Sequence, residues 1–84
     1  MLYTRPSKAD CITILSAASG VSDAGTLLAL DHRHLGLSRN AMEAAAAFLT
    51  KRGCFSRYTF GVGGVSVGAL SLQGRLRLDK LANG

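Results

Sequence analysis

Apolar positions recur at helical spacing through the first half of the chain and alternate through the second. Ala9, Ile12, Leu15 and Ala18 stand three apart, which makes one stripe of a helix. Ser7 precedes them in the form of a capping box, with Asp10 in place of the usual glutamate at the third helical position. Gly20 follows, where a left-handed residue stops a helix without steric cost. The pattern predicts a first helix over 8–19, with Cys11 and Ile14 widening its apolar face. Ser22 or Asp23 can cap a second helix over 23–35 that runs through Leu27, Leu28 and Leu30 toward Leu35 and is closed by Gly36. Ser38 is the next cap. The alanine-rich segment Arg39–Arg52 predicts a third helix over 39–52, with Met42, Ala45, Ala46 and Leu49 facing inward. Gly53 stands where a C-terminal glycine is preferred, and Lys51 and Arg52 complement the helix dipole.

Beyond Gly53 the period changes. Residues 54–60 are aromatic and alternating, and residues 65–70 alternate again with valines on one side. Gly61-Val62-Gly63-Gly64 between them suits the turn of a hairpin. Leu70, Leu72, Leu76 and Leu78 fit either an extended strand or a strand followed by a short C-terminal helix capped by Ser71. The expected fold class is α+β, a single domain over 1–84.

Composition narrows the function classes. A chain of 84 residues buries only about 60% of its unfolded surface, so an apolar content of 48% is close to what folding demands. Two cysteines, one proline and ten glycines exclude a disulfide scaffold and a collagen-like repeat. The longest uncharged stretch, 58–74, carries five glycines and makes a poor membrane span. Met1-Leu2-Tyr3-Thr4-Arg5-Pro6 lacks the apolar region of a secretory signal. The expectation is a cytoplasmic protein that does not engage membranes.

Charge is divided unevenly along the chain. Residues 1–38 hold three cations and three acids, whereas residues 39–84 hold seven cations and two acids, so the whole net charge of +5 lies in the second part. Such asymmetry points to an anionic partner, nucleic acid first and an acidic protein second.

Catalytic signals are nearly absent. His32 and His34 are two apart and fall on different helical faces, unlike the four-residue spacing of a metal pair. Cys11 and Cys54 are isolated and read as buried, apolar-like thiols. The glycine run lacks both the dinucleotide fingerprint and the lysine of a phosphate-binding loop. No carboxylates are paired for acid–base work. The reading is therefore a non-enzyme without metal or cofactor.

Three segments carry a resemblance. Leu35-Gly36-Leu37-Ser38-Arg39-Asn40-Ala41-Met42 looks like the turn and recognition-helix start of a helix-turn-helix. Leu49-Thr50-Lys51-Arg52-Gly53-Cys54-Phe55 resembles the exit of that helix into a first wing strand. Leu70-Ser71-Leu72-Gln73-Gly74-Arg75-Leu76-Arg77-Leu78 is similar to the segment that follows the wing in small bacterial and phage winged-helix proteins. In order and spacing the three resemble the winged helix-turn-helix family over residues 7–81. One departure is Asp31, where the family places an apolar residue; it points to a shortened or shifted second helix, with the buried stripe on Leu27 and Leu30.

The resemblance implies sequence-specific binding of double-stranded DNA by a prokaryotic or phage transcription regulator, usually a homodimer, with the third helix in the major groove and the wing on backbone or minor groove. Arg39 and Asn40 are the expected base readers, since arginine suits guanine and asparagine suits adenine. Ser38 with nearby amides is expected to meet a phosphate. Lys51, Arg52 and Arg57 are expected to hold the backbone, with Arg75 and Arg77 following the wing. Met1-Leu2-Tyr3 and the C-terminal leucines are the candidate dimer segments. An alternative comes from the same third helix, whose outward positions Glu43, Ala44, Ala47 and Thr50 carry little hydrogen-bonding equipment. That surface also suits a protein-interaction module, either an adaptor or a phage-encoded inhibitor of a host protein machine, and fold alone does not separate the two.

Overall fold

The computed structural model describes residues 6–21, 26–61 and 64–83. Helix α1 spans Lys8–Ser19 and begins where the Ser7 hydroxyl accepts a hydrogen bond from the Asp10 amide at 3.0 Å. Its inward side, Cys11, Ile14, Leu15 and Ala18, is buried. Gly20 ends the helix in right-handed geometry (φ −80°), with its amide bonded to the Ala17 carbonyl and the Val21 amide to that of Ala18. The left-handed stop expected there is not used.

The expected helix over 23–35 is not what its described residues form. Leu28–Ala29 is a short strand, β1, and only His32–Leu35 is helical, a single turn α2. Two interactions account for this. Leu28 and Ala29 pair with a distant strand, and the Leu30 amide donates to the Val65 carbonyl at 2.9 Å, so these backbone groups are taken by the sheet. Asp31 then adopts extended geometry and caps α2, accepting from the Arg33 amide at 3.0 Å. The expected cap at Ser22 or Asp23 lies outside the described residues, as does Met1-Leu2-Tyr3.

Gly36 takes the left-handed conformation (φ 74°) that lets the chain leave α2 and enter helix α3, Arg39–Lys51. Ser38 caps α3 through a 3.1 Å bond from the Ala41 amide. Met42, Ala45, Ala46 and Leu49 are buried at the expected spacing. Arg52 closes the helix and Gly53 (φ 72°) reverses the chain.

Strands β2 (Tyr58–Gly61) and β3 (Gly64–Val67) form an antiparallel hairpin, and β1 joins on the far side of β3, giving the order β1-β3-β2. The ladders are shorter than the expected 54–60 and 65–70. Outside them the pairing continues irregularly, through the Ser56 amide to Ala69, the Gly68 amide to Arg57 and a Phe55–Leu70 bridge. Val65 and Val67 turn inward onto the helices, with Ser66 between them on the other face. The tip, Val62-Gly63, lies outside the described residues.

Helix α4, Leu72–Asn83, decides the ambiguity of the C-terminal leucines in favour of a helix of twelve residues. The Ser71 hydroxyl accepts from the Gly74 amide at 3.1 Å and donates to the Gly53 carbonyl, tying the start of α4 to the end of α3. α1 packs against both α3 and α4. The core draws Ile14 and Leu15 from α1, Leu49 from α3 and Val67 from β3, all fully buried, with Cys54 beside them. The chain is thus an α+β structure with four helices and one three-stranded antiparallel sheet among the described residues.

Candidate nucleic-acid interface

The start of α3 is built by short-range bonds. The His32 imidazole meets the Leu37 carbonyl through Nδ1 at 3.1 Å, and a carbonyl can only accept, so Nδ1 carries the proton. That bond spans the α2–α3 turn and fixes how Ser38, Arg39 and Asn40 are presented. All three are exposed. The Ser38 hydroxyl is already engaged as the cap.

The hairpin end comes alongside this helix start. Gly61 and Gly64 share a groove of about 340 Å³ with Arg33 of α2 and with Arg39, Met42 and Glu43 of α3. Two cations, Arg33 and Arg39, meet two acids, Asp31 and Glu43, across the same groove, so the formal charge of its described lining is balanced with His neutral. Arg33 has the same access as Arg39 although sequence reasoning passed over it; its position two residues after the Asp31 cap was the available signal.

The eight expected contact residues do not form one surface. Ser38, Arg39 and Asn40 begin α3, while Lys51 and Arg52 stand roughly 18 Å away at its other end. The Arg52 guanidinium lies over the Phe48 ring, 4.5 Å from its centre. Arg52 also shares a separate groove of about 150 Å³ with Gln73, Leu76, Arg77 and Lys80. Arg75 faces a third groove, of about 300 Å³, between the end of α1 and α4, lined by Val21, Leu70 and Leu78 with Asp79 and Asn83 at its rim. Arg57 is exposed just before β2. Lys80, outside the expected set, completes the densest group of cations; its distance from Arg52 in sequence hid the association.

Arg77 is half-buried and stands close to both thiols. Burial pushes the Cys11 and Cys54 thiols up from their ordinary value, and the Arg77 charge opposes part of that rise. Both cysteines are free and buried. Among the described residues, no group of His, Cys, Asp or Glu is placed to hold a metal ion, and no helix is long and apolar enough to cross a membrane.

The hairpin carries one feature that composition did not announce. Tyr58 and Phe60 are 53% and 45% exposed and meet edge to face, with ring centres 5.9 Å apart. They share the face of Val65 and Val67, to which they are paired, but lie on the outer strand, where the helices no longer cover the sheet. Comparisons with protein-family models, with curated proteins and with solved structures find no match for this chain.

Proposed function

We propose that this chain is a winged helix-turn-helix protein that binds double-stranded DNA, as a prokaryotic or phage regulator of transcription. The observation that carries the reading is topological. A helix of thirteen residues follows a tight glycine turn, and an antiparallel hairpin whose end lines the same groove as the start of that helix follows in turn. A helix start and the strand ends of a hairpin side by side match the arrangement in which one element enters the major groove and the other lies on the adjoining backbone.

In this reading Arg39 and Asn40 read base edges, and Arg33 joins them from α2. Arg57 and Lys51 hold phosphates on either side. Arg52, Arg75 and Arg77 have other neighbours and contribute less. Fluorescence anisotropy with a labelled duplex tests these roles. Arg39→Ala with Asn40→Ala should remove sequence preference, worth about 1–3 kcal/mol at each base read. Arg57→Ala should weaken all duplexes alike. Equal affinity of the wild type and both variants for every duplex would remove the support for this surface.

A protein-interaction module remains the second reading, and the balanced charge of the α3 groove favours it. A groove holding Asp31 and Glu43 beside Arg33 and Arg39 repels phosphate as much as it attracts it. An adaptor or an inhibitor of a host protein machine would use the exposed Ala47 and the half-buried Ala44 of α3 as a close-packing ridge. Its complex would respond weakly to salt.

A further inference from the structure

Helix α4 has two apolar faces, and among the described residues one of them is covered and the other is not. Leu78 and Leu81 pack against the core. Leu72 and Leu76, four residues apart and therefore neighbours on one side of the helix, are 72% and 59% exposed. Leu76 lies in the groove that also holds Arg52, Arg77 and Lys80, three cations with no carboxylate lining the same space among the described residues.

We propose that this face of α4 docks an acidic amphipathic helix of a protein partner. Its apolar stripe would seat over Leu72 and Leu76, and its carboxylates would meet Arg52, Arg77 and Lys80. Charge selects this occupant. A second copy of the chain would bring the same three cations against themselves. A nucleic-acid backbone would satisfy the cations but set phosphates over two leucines, which gain nothing from that neighbour. A helix with an apolar stripe and acidic flanks satisfies both parts of the surface. Two of the cations are held before a partner arrives, Arg52 over the Phe48 ring and Arg77 half-buried near Cys54, which lowers the ordering cost of binding. Among the described residues this surface shares none with the groove at the start of α3, so the inference does not rest on the duplex reading.

The test uses the full chain and a labelled helical peptide of about five turns. The peptide carries leucines at four-residue spacing with glutamates on the flanks. A scrambled peptide of the same composition and a peptide with lysines in place of the glutamates run beside it. Fluorescence anisotropy should show saturable binding of the acidic striped peptide and at least about tenfold weaker binding of both controls. Leu72→Ser with Leu76→Ser, and separately Arg52→Ser with Lys80→Ser, should each weaken the peptide complex about tenfold or more. The leucine pair should leave the helical circular-dichroism spectrum and duplex affinity unchanged. Equal binding of the scrambled peptide, or of the leucine variant, overturns the proposal. So does a solution dimer that the leucine variant dissolves, which assigns the face to a second copy. Loss of duplex affinity in that variant also overturns it, by assigning the face to nucleic acid.

Discussion

Single residues show most plainly where local preference and packing disagree. Gly74 sits in the first turns of α4, where helix propensity alone favours alanine by up to about 1 kcal/mol. A Cβ there would overlap the Cys54 carbonyl oxygen, a backbone atom that cannot step aside. Packing therefore wins, and Gly74→Ala should lose about 2–3 kcal/mol of stability in urea denaturation. A stabilised Gly74→Ala variant would mean that α4 does not approach the α3–β2 junction this closely. The two buried thiols make a second residue-scale prediction. Burial raises their pKa values above 9.0 and makes them weaker acids, so the folded state holds its protons where the unfolded chain has released them. Their contribution is complete below the unfolded value and declines as pH rises through the folded one, so stability should fall above about pH 9. Denaturation across pH 7–10 should show that fall, and replacing both cysteines by alanine should flatten it. That both cysteines are buried was legible in the sequence from their isolation; that Arg77 stands near them was not, because the approach depends on how α4 crosses the molecule.

At the scale of elements, the helices that begin at Ser7 and Ser38 were legible and the second helix was not. Ser7 and Ser38 each precede an apolar stripe of helical period, and both hydroxyls accept the expected amide. Ser38→Ala should cost about 1 kcal/mol, and a thermal melt would detect it as a lower midpoint. The segment through Leu27, Leu28 and Leu30 misled because its spacing fits a helix stripe and a strand face equally. The choice was made by β3, some 35 residues away, which offers Leu28 and Leu30 a ladder that local pattern cannot reveal. Asp31 was the visible sign of the break, since it caps α2 where a continuous helix would need an apolar residue. The C-terminal leucines had the reverse outcome. Their alternation suited a strand, but Ser71 caps α4, and the two outward leucines are the residue of that ambiguity.

Across the whole molecule, charge and shape carry different messages. The sequence placed all of its net charge after residue 38, and reading that charge as one cradle around α3 was natural. The fold instead distributes the cations over three grooves, and among the described lining residues the α4 groove alone keeps an excess of them, because α3 is long enough to separate its own ends and α4 presents cations on two sides. Salt dependence is the appropriate probe at this scale. Duplex binding through Arg33, Arg39, Lys51 and Arg57 should give a log–log slope of about −3 to −4, at about −0.9 per phosphate neutralised. A slope near zero would fit the protein-interaction reading. The most direct measurement is amide chemical-shift mapping of the labelled protein as a mixed-sequence duplex is added. The account predicts shifts concentrated at Ser38, Arg39 and Asn40 and at Gly61 and Gly64, growing together along one titration. Shifts confined to α4, or none at saturating duplex, would contradict it.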